Sequence, residues 1–118
     1  MFTTPGSRAG RKTANRLRQG YFADQLPPRT VTAGTFKPDP RVRNIQYVIN
    51  GGVFTLDPPA EWCSVIVDIL NNASAGAVTL TGWTKTGGDA LDTTNTRGWR
   101  CYGSVGPLGS HLSIQRMA

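Results

Sequence analysis

The sequence is poor in the side chains that carry most protein chemistry. Among 118 residues it has one histidine, His111, two cysteines, Cys63 and Cys101, and only seven acids. The cysteines show no Cys-x-x-Cys spacing, so there is no zinc signature. Long apolar runs are missing too. The longest, residues 65–70, is broken by Asp68 and falls far short of the roughly 20 residues that cross a bilayer. The opening MFTTPGSRAGRK lacks the apolar stretch of a secretory leader. Gly87-Gly88 is not followed by Lys-Ser or Lys-Thr, so it is no phosphate loop, and no G-x-S-x-G elbow is present. Asp57, Asp68, Asp89 and Asp92 are scattered, and Gly-Gly-Asp-Ala-Leu-Asp is too poor in oxygen ligands for a calcium loop. Ser110 adjoins His111, but neighbours on a strand point to opposite faces. No enzyme, cofactor, metal or membrane partner is expected.

What is present divides in two. Residues 1–43 carry Arg8, Arg11, Lys12, Arg16, Arg18, Arg29, Lys37, Arg41 and Arg43 against Asp24 and Asp39, nine bases less two acids, or +7. Residues 44–118 carry Lys85, Arg97, Arg100 and Arg116 against five acids, or −1, which completes the total of +6. The first segment is punctuated every few residues by glycine and proline, which favours extended chain over helix. Residues 11–19 allow about two helical turns before Gly20, marginal in isolation. The reading is an extended basic docking arm over residues 1–43. Its apolar residues Phe2, Leu17, Tyr21, Phe22, Leu26, Val31 and Phe36 are spaced like anchors for pockets on neighbouring subunits. Nucleic-acid binding is the weaker reading, because aromatics are not interleaved with the arginines. A merely solvated tail is the bland one.

From Asn44 onward the texture is that of strands. Ile45, Tyr47 and Ile49 alternate with Gln46 and Val48, then Asn50-Gly51-Gly52 leads into Val53-Phe54-Thr55-Leu56, a pattern that predicts a hairpin. Residues 63–70 predict the central strand, with Cys63, Val65, Val67 and Ile69 on one face. Residues 77–81, 83–86, 90–94, 99–105 and 111–117 predict further strands, the last with Leu112 and Ile114 on one face. Residues 44–118 thus read as an all-β domain, a small antiparallel β-sandwich or barrel. Such a domain is marginal alone, so a homo-oligomer is expected, and three domains sharing a core make a trimer the natural form to test. Cys63 and Cys101, both on strands, pair as a disulfide only if their strands are adjacent; the bland reading is two free thiols. Of Trp62, Trp83 and Trp99, at least two are expected in the core or between subunits, and an exposed one would suit a sugar or a partner. His111 reads as a turn or interface residue.

Residues 50–112 also carry a recurring order: NGG-x-F-x-L-x-PP, then NN-x-x-AG and G-x-TK-x-GGD, then TTN, a cysteine-containing strand and SHL. This resembles a small β domain common in virion proteins of tailed bacteriophages. The resemblance implies a non-enzymatic structural protein of the virion, made in the bacterial host cytoplasm. The resemblance does not separate head from tail; joined with the basic arm, the first reading is a capsid decoration protein whose arm docks on the major capsid protein or other virion subunits. A tail, collar or fibre component is the alternative.

Overall fold

A computed structural model describes residues 28–118. Phe2, Arg8, Arg11, Lys12, Arg16, Leu17, Arg18, Tyr21, Phe22 and Leu26 lie outside the described residues. No helix occurs among the residues described, and nine strands follow one another.

The strands are β1 (Arg29–Val31), β2 (Thr35–Phe36), β3 (Ile45–Asn50), β4 (Phe54–Leu56), β5 (Cys63–Asn71), β6 (Val78–Thr79), β7 (Lys85–Gly88), β8 (Gly98–Gly106) and β9 (Gly109–Arg116). They form a six-stranded sheet in the order β1-β3-β5-β8-β9-β7 and a three-stranded sheet in the order β2-β4-β6. β1, β3 and β5 run parallel, and so do β2, β4 and β6. The chain therefore makes three stacked strand–corner–strand turns, a short parallel β-solenoid. The antiparallel pair β8–β9 then joins the six-stranded sheet beside β5, and β7 closes its far edge parallel to β9.

The fold is β-rich, as expected, but the expected antiparallel pairing is corrected: most of the strand pairings are parallel. The Asn50-Gly51-Gly52 step is where the expectation fails. A hairpin would fold β4 back on β3, but the two lie in different sheets. The corner is held by Asn50, whose side-chain oxygen accepts the N–H groups of Gly52 (3.2 Å) and Gly76 (3.1 Å). Its amide donates to the Gly76 carbonyl (2.8 Å) and to Asn71 Oδ1 (3.1 Å). Four bonds exhaust what an asparagine side chain can make. The corner also demands glycine at position 76, because a Cβ there would overlap the backbone of Gly52 and Val53.

Asn71 occupies the corresponding corner one turn on, directly opposite Asn50 in the register. Its amide donates to the carbonyls of Asp92 (2.7 Å) and Thr94 (2.9 Å). The expected strand at 90–94 is thus a loop, fastened to a corner of the stack. Two buried asparagines tie the second and third turns to each other and to the chain entering β8.

The core lies between the sheets. The six-stranded sheet contributes Val31, Val48, Val67, Ile69, Trp99, Cys101, Leu112 and Ile114, and the smaller sheet contributes Phe36, Phe54 and Leu56. Alternation in β5, β8 and β9 places one side chain of each pair inward, as the sequence predicts for Val65, Val67, Ile69, Leu112 and Ile114. Trp83 fills the space above Gly103, where a Cβ would lie 2.9 Å from its ring, and its indole N–H donates to the Leu56 carbonyl (2.8 Å).

Residues 29–36, within the expected arm, are members of both sheets. Val31 and Phe36 are buried in this chain's own core and so are not available as anchors for a neighbour. Among the described residues strand pairing begins at Arg29, whose guanidinium sits 5.7 Å from the centre of the Phe36 ring. Arg41 bridges two loops by pairing with Asp39 (3.2 Å) and Glu61 (3.8 Å), and Arg43 is half-buried, its carbonyl accepting from Gln46.

Candidate functional site

β3 has an unusual polarity. Its inward side is Gln46, Val48 and Asn50; its outward side is Ile45, Tyr47 and Ile49. The more apolar side of the strand faces away from the core, leaving Ile45 57% and Tyr47 42% exposed. Register extends this outer face across the sheet in three rows. Ser64, Ser104, His111 and Lys85 make one; Ile45, Ile66, Tyr102 and Ser113 make the next; Tyr47, Asp68, Arg100 and Gln115 make the third. Neighbours within a row are about 5 Å apart, and successive rows about 7 Å.

The first two rows, apart from Lys85 at the outer edge, line a groove of ≈ 530 Å³, open to solvent, with Asn44 at one end. Asn44 is fixed by donating its side-chain amide to the Ser64 carbonyl (2.9 Å). The third row bounds it with an ion pair. Arg100 donates Nε to Asp68 Oδ1 (2.8 Å) and Nη2 to Oδ2 (3.0 Å), a two-pronged contact that fixes both side chains. Asp68 holds the Arg100 guanidinium pKa well above its usual value, and the Tyr102 hydroxyl lies beside the same guanidinium.

The expected sites fall as follows. Trp83 and Trp99 are core residues, and Trp99 donates its indole N–H to the Ala90 carbonyl (3.1 Å). Trp62 is 72% exposed just before β5. Cys63 and Cys101 are both free thiols. Their strands are adjacent, but Cys101 lies opposite Val67 and Cys63 opposite Val105. That four-residue offset is about 13 Å along the strand, beyond the ~7 Å limit between Cα atoms for a disulfide. Burial pushes the Cys101 thiol up to about 12, with the Asp68 charge adding to it; burial also raises Cys63, followed by Glu61. Neither is an activated thiolate at neutral pH.

Ser110 points inward, as alternation predicts, and exchanges hydrogen bonds with Thr84: Thr84 N–H to Ser110 Oγ (3.0 Å) and Ser110 N–H to Thr84 Oγ1 (3.0 Å). His111 points outward beside Ser104. The Ser64–Ser104–His111–Lys85 row holds no carboxylate to orient the imidazole, which a serine nucleophile would require. Among the described residues, no three His, Cys, Asp or Glu side chains gather as a metal site, and no helix is long and apolar enough to cross a membrane.

Sequence reasoning missed the outer face itself. Its signal was present in β3, where the apolar side of the alternation competes with Asn50 for the interior, but alternation alone does not say which side wins. Comparison with protein-family models, curated proteins and solved structures gave no match.

Proposed function

We propose that the chain is a non-enzymatic structural protein of a tailed-phage virion, in the first place a capsid decoration protein that docks through its basic leading segment. The observation that carries this reading is the placement of charge. Residues 1–27 hold Arg8, Arg11, Lys12, Arg16 and Arg18 against Asp24, or +4. Residues 28–118, with eight bases and six acids, hold only +2. The basic segment joins the folded body next to Arg29, where β1 and β2 are the edge strands of the two sheets. A cationic tether rooted at two sheet edges suits docking on an acidic lattice, with added strand pairing at the edges. The resemblance over residues 50–112 supports the virion assignment.

A tail, collar or fibre component is the second reading, favoured by the exposed aromatic side chains of the outer face. Mass spectrometry of purified particles tests both. Many copies per particle support a shell protein and a handful supports the neck or tail; absence from particles overturns the virion reading. Salt-dependent binding to random DNA by the purified chain would instead favour a nucleic-acid module.

A further inference from the structure

We infer that the groove on the outer face of the six-stranded sheet is a binding site for a neutral saccharide, seated against Tyr102 and hydrogen-bonded by the Ser64–Ser104–His111 row. This goes beyond the virion reading and does not depend on it.

Three properties of the groove select this ligand. The first is its mixed chemistry. Ile45, Ile66 and Tyr102 form an apolar strip, and about 7 Å away runs a row of two hydroxyls and an imidazole. A sugar has the matching construction: C–H groups that lie on an aromatic or aliphatic surface, and rim hydroxyls that both donate and accept. The second is charge. The groove lining itself holds no Asp, Glu, Lys or Arg, the bordering Asp68 and Arg100 are paired with each other, and the one other charge in these rows, Lys85, stands on the edge strand beyond His111. Over the Tyr102 strip a phosphorylated, sulfated or strongly acidic ligand has no counter-charge in direct contact. The chain's own basic segment finds no carboxylate.

The third is size. Four strands by three rows span about 15 Å by about 14 Å. A groove of ≈ 530 Å³ falls within the usual range for small ligands. One border of the surface is also set in advance, because Asp68 grips Arg100 at two points.

The test uses the full chain and three neutral probes, cellotetraose, maltotetraose and N-acetylchitotetraose, by titration calorimetry and amide chemical-shift mapping. At least one probe is expected to bind at micromolar to millimolar concentration and to shift amides of β5, β8 and β9. Tyr102→Ala should weaken that binding about tenfold or more, while Tyr102→Phe, which keeps the ring, stays close to the parent. Trp62→Ala, at an exposed tryptophan outside the groove, should leave it unchanged. All three substitutions are at exposed positions, and thermal melts confirm that each variant folds. The inference is overturned if none of the probes binds, if Tyr102→Ala binds as well as the parent, or if Tyr102→Ala dissolves a dimer of the parent chain, which would assign the face to a second copy. Particle composition, which tests the virion reading, is independent of every one of these outcomes.

Discussion

The parallel turns over residues 29–79 and the closing β8–β9 hairpin are held by different means. In the hairpin, Gly106 and Gly109 pair across a two-residue tip, Pro107-Leu108, and Gly109 adopts a φ of 114° that glycine tolerates without strain. Its pairing is local, so backbone bonds between near neighbours set the register. In the parallel turns the partners are distant: Asn50 bonds to Asn71, 21 residues on, and to Gly76, 26 residues on. No backbone turn closes that distance, and buried side-chain amides replace it. The hairpin is specified by chain conformation, the stack by a few buried polar contacts that must all form together.

The largest consequence falls on the stack. Asn50→Leu keeps the volume and removes every side-chain bond at the corner, leaving the Gly52 N–H and both polar groups of the Gly76 backbone without their partner. Each such group costs about 1–3 kcal/mol when buried, so a loss of at least about 3 kcal/mol is expected in urea unfolding. The comparable change in the hairpin half is Ser110→Ala, which removes one acceptor from Thr84 N–H while the return bond to Thr84 Oγ1 remains. It should cost about 1 kcal/mol. Equal costs for the two variants would mean that the asparagine corners do not hold the stack.

The same contrast explains what could be read from the sequence. The inward faces of β5, β8 and β9 follow from alternation, because each pairs antiparallel with its neighbour along much of its length and has a consistently apolar side. The parallel stack does not follow. Asn-Gly is a strong turn signal, and whether it reverses the chain or turns a corner depends on Gly76 and Asn71, contacts that local propensity does not contain. The arm boundary failed for a related reason. Val31 and Phe36 sit in a segment broken by Gly34 and Pro38, and only the presence of β3 and β4 beside them makes three- and two-residue strands stable. The candidate groove was hidden because its floor, Ile45 and Ile66, consists of residue types that pattern reading assigns to a core. The Asp68–Arg100 pair spans 32 residues and appears only once β5 and β8 are in register.

A third substitution probes the junction between the two parts. Thr96 holds a φ of 67°, a left-handed conformation costly for a β-branched residue, and its N–H donates to the Asn71 carbonyl (3.1 Å). Thr96→Asn keeps that backbone bond and relieves the strain, because asparagine tolerates this region. A gain of about 0.5–1 kcal/mol is expected. A loss would show that the threonine side chain makes a contact worth more than the strain.

The smallest effect is on acid sensitivity, and it also separates the two parts. Asp92 is held below the usual carboxylate range, first by the Thr94 N–H (3.0 Å) and then by Arg97 (2.6 Å). Asp39 is lowered in the same direction by the Arg41 N–H and side chain. A carboxyl lowered by folding stabilises the native state while it is ionised, and this stabilisation is complete above its unfolded value of about 4. It is lost as pH falls through the lower folded value. The melting temperature should therefore stay level from about pH 7 to about pH 5 and decline below about pH 4. Both groups are solvent-exposed, so the decline should be shallow and weaken further in salt. Asp92→Asn should flatten it more than Asp39→Asn, because the Asp92 loop is the one that Asn71 grips, and loosening it releases a corner of the stack. If Asp39→Asn has the larger effect, the acid-sensitive element is the loop carrying Arg41, and the tie between Asn71 and the 92–94 loop contributes little to holding the two parts together.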